Sequence, residues 1–203
     1  MGKRILLGMM ALLLVFAITG CGGQEAVAGM RIQPAALAEE ETNIVSLLHA
    51  GGQDSQIFDY NVGNKARSIV FTTYKLDKNG KWVTRFGPSS FALMGTTGRI
   101  AISFDNIDNG IKISMQDESG TTGSSTNPGQ KSNTEGMGMF TSSADIVDIE
   151  YDKEIPLVMQ VFSPGDDMSS GEVDAFYHPE KLLGNGYDAV FVVVIKFSKE
   201  GLQ

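Results

Sequence analysis

Arg99-Ile100-Ala101-Ile102-Ser103-Phe104-Asp105-Asn106-Ile107-Asp108-Asn109-Gly110-Ile111-Lys112-Ile113-Ser114-Met115-Gln116 alternates apolar and polar side chains on both sides of an Asn-Gly pair. Ile100, Ile102 and Phe104 share one face of an extended chain, and Ile111, Ile113 and Met115 share one face of the next. Each run therefore reads as a half-buried strand with a wet side. Asn109-Gly110 predicts a two-residue hairpin turn, because both residues accept the positive φ such a turn needs. Counting outward from that turn sets Phe104 opposite Met115 on the apolar face. Ile107 falls out of phase, which predicts a local irregularity there.

A second hairpin is read from Ser68–Leu76 and Lys81–Phe86 around Asp77-Lys78-Asn79-Gly80. A two-residue turn would place Trp82 opposite Asp77. A three-residue turn with a bulge at Gly80 places Trp82 opposite Leu76 and Thr84 opposite Tyr74. A slip of one residue reverses every side chain, so burial selects the bulged turn, which gathers Val70, Tyr74, Leu76, Trp82 and Phe86 on one face. Further strands are expected at Gln56–Val62, Ile146–Tyr151, Leu157–Ser163 and Asp188–Phe197. Ala189 to Ile195 is apolar on both faces, so it predicts a central strand covered on both sides. Pro179–Leu183, followed by Gly184, reads as one helical turn. About eight strands, polar turns and little helix point to one all-β domain, an antiparallel β-sandwich connected in an immunoglobulin-like or jelly-roll-like way. Its expected centre holds Ile102, Phe104, Ile113, Met159, Phe191, Val193 and Ile195.

The N-terminus is built differently. Lys3 and Arg4 precede an apolar run from Ile5 to Ile18, and Ile18-Thr19-Gly20-Cys21-Gly22-Gly23 follows with the chain's single cysteine. Such a run is shorter than the roughly 20 residues a bilayer crossing needs, and its flanks are those of an export signal. The segment resembles the lipobox of bacterial lipoproteins over residues 1 to about 23. That resemblance implies diacylglycerol on the Cys21 sulfur, cleavage between Gly20 and Cys21, and an acylated new N-terminus. Two or three acyl chains, at about 0.8 kcal/mol per buried methylene, anchor a protein stably. Residues 1–20 are then the signal peptide, 21–54 the lipidated N-terminus with a flexible tether, and 55–203 the sandwich. With Cys21 lipidated, no thiol remains for a disulfide, and the exported domain must rest on its core alone.

Removing residues 1–20 leaves 183 residues, enough for one domain to bury about 70% of its surface. It leaves 14 basic against 24 acidic residues. A surface this acidic is repelled by nucleic acid, anionic lipid and teichoic polymers, so bulk electrostatic attraction to any of them is a poor candidate for function.

Ser119–Gly138 is rich in Gly, Ser, Thr and Asn and offers only Met137 as a large apolar anchor, which predicts a disordered loop. Catalytic signatures are missing: two histidines, His49 and His178, and no nucleophile elbow, zinc-protease helix or phosphate loop. Gly136-Met137-Gly138-Met139-Phe140-Thr141 lacks the last glycine of a dinucleotide fingerprint. Asp105–Gly110 begins like a calcium loop but puts Ile107 at its third position and Gln116 at its twelfth, and Asp166–Tyr177 puts Met168 at its third. Asp148, Glu150, Asp152 and Glu154 would lie about 6.6 Å apart on one strand face, spaced like a solvated surface and not a cation cage. Trp82, Tyr74 and Phe86 could stack on sugars, but their shared register with Val70 and Leu76 reads as core packing. No cofactor or metal is called for.

Two functions fit these residues. One is a membrane-anchored extracytoplasmic lipoprotein that works as a non-catalytic binding module for a protein, peptide or glycan, recognised through loops. The alternative is an envelope hydrolase using two carboxylates.

Overall fold

The computed structural model describes residues 29–50, 54–126, 137–164 and 171–202. Among these residues, eleven strands build two antiparallel sheets. They are β1 (Arg31–Pro34), β2 (Asp54–Asn61), β3 (Ser68–Leu76), β4 (Trp82–Ala92), β5 (Thr97–Phe104), β6 (Lys112–Asp117), β7 (Gly120–Ser125), β8 (Met137–Ser142), β9 (Val147–Asp148), β10 (Glu154–Ser163) and β11 (Ala189–Ser198). The first sheet runs β7-β6-β5-β2-β1-β9, and the second runs β4-β3-β11-β10-β8. The all-β sandwich read from the alternating runs is the fold.

Between the sheets lie Phe58, Ile100, Ile102, Phe104 and Ile113 from one side and Phe71, Phe191, Val193, Ile195 and Phe197 from the other, all buried. All seven residues expected at the centre are buried. Met159 belongs to a different cluster, however, on the outer face of the second sheet. There Met159, Val161, Val190, Val192 and Val194 are covered by two 3-10 turns, Val173–Tyr177 and Pro179–Leu182, through Val173, Ala175 and Leu182. This cover explains the sequence of β11. It is the middle strand of five, with the opposing sheet on one face and the 3-10 turns on the other, so both faces are apolar.

The second hairpin has the expected register: Leu76 pairs with Trp82 and Tyr74 with Thr84, around Gly80 at φ +75. Asp77 Oδ1 accepts the amides of Asn79 and Lys81 and holds the turn. Further along, the register shifts on both sides of Thr73, which pairs with Phe86. Phe86 thus leaves the face of Trp82 and Tyr74, contrary to the single apolar face read from the sequence. The first hairpin corrects its expectation too. Ile100 pairs with Met115 and Ile102 with Ile113, four positions from the register that sets Phe104 against Met115. A 3-10 turn at Ile107–Asn109 replaces the two-residue turn, at the irregularity foreseen for Ile107. A shift of four preserves the faces, so Phe104 and Met115 are still buried.

Three boundaries also move. The segment expected to be a tether contains β1, paired with both β2 and β9, so the folded body reaches back to residue 31 from the expected 55. It also contains α1 (Glu39–His49), which opens on a capping arrangement. Glu41 Oε2 accepts the Ala38 amide at 2.9 Å, and three glutamates occupy the first turn, where negative charge is favoured. In the expected disordered loop, Gly120–Ser125 forms β7, fully paired with β6, and β8 starts at Met137; residues 127–136 lie outside the described residues. Finally, the strand expected at Ile146–Tyr151 shortens to β9, because the chain turns at Tyr151 and Asp152.

Candidate functional site

Cys21, the expected lipidation site, lies outside the described residues, as does the signal segment. Residues 166–170 of the Asp166–Tyr177 loop also lie outside the described residues, and the other candidates are followed where the described residues place them.

The aromatic candidates are tied into the fold. Tyr74 and Trp82 lie partly buried on the outer face of the second sheet, against Phe176 of the covering turn, with ring centroids 6.1 and 5.6 Å away. Trp82 Nε1 donates to the Phe176 carbonyl at 2.9 Å, and Tyr74 Oη donates to Glu154 Oε1 at 2.6 Å. Burial first and Glu154 second push the Tyr74 hydroxyl up to about 12. These rings clamp the covering turn. They do not present a row of faces to solvent.

Several oxygens of Asp105–Gly110 are also engaged. Asn106 Oδ1 caps the Asp108 amide, the buried Asp108 carboxylate pairs with Arg85 of β4, and the Asp105 carbonyl accepts from Gln160 Nε2 at 3.0 Å. Gln160 Oε1 in turn accepts the buried Ile107 amide at 2.7 Å, so one side chain on β10 pins the 3-10 turn of the opposite sheet. Gln160, at 4% exposure, carries a central role that sequence reasoning missed. Its only signal is a lone amide in an otherwise apolar strand, a residue type that is buried only with partners.

The acidic series from Asp148 to Glu154 is dispersed by the turn after β9. Glu150 meets Lys153 at 3.0 Å, Asp152 Oδ1 accepts from Ser198 Oγ at 2.7 Å, and Glu154 holds Tyr74. Asp152 adopts φ +64 and donates its amide to the Phe197 carbonyl. Among the described residues, no group of three or more His, Cys, Asp or Glu is placed to hold a metal ion. His178 stands 3.5 Å from Glu180 at the surface. The carboxyls moved from their ordinary acidity move down: Glu41 through the Ala38 amide, Asp77 through the Lys81 amide and Asp117 through the Ser119 hydroxyl. A glycosidic general acid needs the opposite shift.

Two grooves remain. One, of about 520 Å³, lies where β3 and β11 emerge from under the covering turns, and joins Ser68, Ser90, Asp152, Lys196, Ser198 and Glu200. Much of its polar lining is spent on structure, since Ser68 Oγ donates to the Glu200 carbonyl and Ser198 Oγ to Asp152. The other, of about 660 Å³, opens beside the end of β8. Thr141, Ser142 and Ser143 form one wall, and Asp145, Asp148, Glu172 and Asp174 give it four carboxylates with no basic residue among the described lining. Comparison with protein-family models, with curated proteins and with solved structures returned no match for the chain.

Proposed function

We propose that this chain is a membrane-anchored extracytoplasmic lipoprotein whose β-sandwich is a non-catalytic binding module. The observation that carries the anchor is the sequence Lys3-Arg4, the apolar run to Ile18 and Ile18-Thr19-Gly20-Cys21. A lipid on Cys21 holds the body at the membrane, and the partner is an extracytoplasmic protein, peptide or glycan. For the body, the supporting observation is how its chemically capable groups are spent. Asp108 holds Arg85, Asp152 holds Ser198, Glu154 holds Tyr74 and Gln160 joins the two sheets. Each is occupied by fold geometry, which favours recognition over turnover.

The test is the mature N-terminus. Mass spectrometry of the membrane fraction should find a chain beginning at Cys21 with acyl mass on that residue, and Cys21→Ser should leave the chain uncleaved or release it. A mature N-terminus elsewhere, without acyl mass, refutes the anchor. Hydrolysis of an envelope polymer by the purified body, abolished by Asp145→Asn or Glu172→Gln, would replace binding with a carboxylate hydrolase.

A further inference from the structure

Among the described residues, β8 is the outer strand of the second sheet, paired on one side only with β10. Its hydrogen-bonding direction follows from the ladder. Ser143 donates its amide to the Leu157 carbonyl, and bonded pairs alternate along an antiparallel ladder. The main-chain groups of Thr141 and Met139 therefore face β10, while those of Ser142, Phe140 and Gly138 face away and meet no backbone partner among the described residues.

Outer strands are normally guarded by charge, proline, a bulge or shortness. The opposite edge of this sheet, β4, carries Arg85 and Pro88 and has shifts in its register. In the first sheet, β9 has only two residues, and β7 at the other edge is likewise without charge or proline but, being Gly, Ser and Thr throughout, has no large side chain to fix it to the core. β8 has none of these defences: Met137–Ser142 has no charge and no proline, and its register with β10 runs without a shift. Phe140 points inward, edge-on to Phe104 at 5.4 Å, and fixes the strand against the core. The outward main-chain row, without a backbone partner among the described residues, thus sits on a strand anchored to the core.

From this we infer that β8 is a docking edge that takes an extended cationic peptide segment as an added strand. The inference rests on the binding-module reading and names the partner class for it. Main-chain hydrogen bonds to Gly138, Phe140 and Ser142 supply affinity, as in other strand additions. Charge selects the occupant. A strand laid along β8 and continued past Ser142 runs beside the groove of Asp145, Asp148, Glu172 and Asp174, with Ile146 60% exposed next to it. Lysine or arginine on the incoming strand meets those carboxylates. A second copy of the chain, which without residues 1–20 carries 14 basic against 24 acidic residues, would bring a strongly acidic body against an acidic groove, so charge disfavours pairing of like edges.

The probes are a ten-residue peptide alternating lysine and valine and its glutamate-valine counterpart, with amide exchange read by NMR on the protein lacking residues 1–20. The lysine peptide should slow exchange at Gly138, Phe140 and Ser142 at least tenfold at saturation, and added salt should weaken it. Ser142→Pro removes an outward amide and leaves the β10 ladder intact, so it should weaken binding at least tenfold with an unchanged melting temperature. The double change Asp145→Asn with Glu172→Gln should weaken the lysine peptide and flatten its salt dependence. Unchanged exchange at the three amides in the unsubstituted protein overturns the inference, as does equal binding of the glutamate peptide. Protection that rises with protein concentration alone overturns it in favour of a second copy. An extracytoplasmic partner that binds equally well to Ser142→Pro overturns the edge and leaves the binding-module reading intact.

Discussion

Gln160→Leu tests the link between the sheets most directly. Leucine keeps the approximate volume and adds apolar surface, so packing alone predicts a neutral or favourable change. Hydrogen bonding predicts the reverse. The Ile107 amide, on a fully buried residue, loses its acceptor at 2.7 Å and is left unpaired, which costs about 1–3 kcal/mol. The Asp105 carbonyl loses its donor at 3.0 Å but sits on an exposed residue where water can replace it, so that loss is about 0.5–1.5 kcal/mol. Buried leucine in place of an amide returns about 1 kcal/mol, leaving a net loss of about 0.5–3.5 kcal/mol. Urea unfolding should show an unchanged slope and a midpoint lower by about 1 M, for a slope near 1–3 kcal/mol per molar. Exchange of the Ile107 amide should quicken well ahead of the amides of β11. A midpoint within error of the parent, with Ile107 still protected, would refute the reasoning, because the 3-10 turn would then hold its place without Gln160.

Phe191→Ala should cost about 3–5 kcal/mol in the same assay, since its ring is fully buried and edge-on to Phe162 at 6.0 Å; a loss under about 1 kcal/mol would contradict the central place given to β11. Glu41 is held below the usual carboxylate range by the Ala38 amide and then by Arg99, which it meets at 2.7 Å. A lowered folded-state value means the contribution is present above the ordinary range and lost as pH falls through the folded value. Amide protection factors across α1, corrected for the intrinsic pH dependence of exchange, should therefore fall on acidification before those of the sheets, and Glu41→Gln should abolish the difference.

How much was legible depends on how far each feature reaches along the chain. The register of β3 with β4 could be read because turn and strands are contiguous, and only one slip buries Tyr74, Leu76 and Trp82 together. The adjacent hairpin misled for a tertiary reason. Gln160, some fifty positions away, draws the Ile107 amide and stabilises a 3-10 turn where Asn109-Gly110 alone favours two residues. β1 was hidden because only Ile32 of its four residues is buried, and its partners are β2 and β9. β7 was hidden by composition: Gly, Ser and Thr carry no apolar period, yet the strand is fully paired with β6. Near β7, Gly98 is needed because a side chain there would meet the Tyr60 hydroxyl and the Gln116 carbonyl.

The surfaces of the body follow the same rule more severely. That β11 must be covered twice is written in its seven apolar residues, but the cover comes from Val173, Ala175 and Leu182, which show no period of their own. An edge is less visible still, since Met137–Ser142 becomes one only when β10 has β11 on its other side. The acids of the adjoining groove come from two stretches, 145–148 and 172–174, brought together by the order of the strands. The feature offered for recognition is therefore a product of strand order, and strand order is what local alternation in the sequence does not encode. A change that reorders the edge, such as the proline at position 142, should alter binding while the core that local patterning specifies stays as it is.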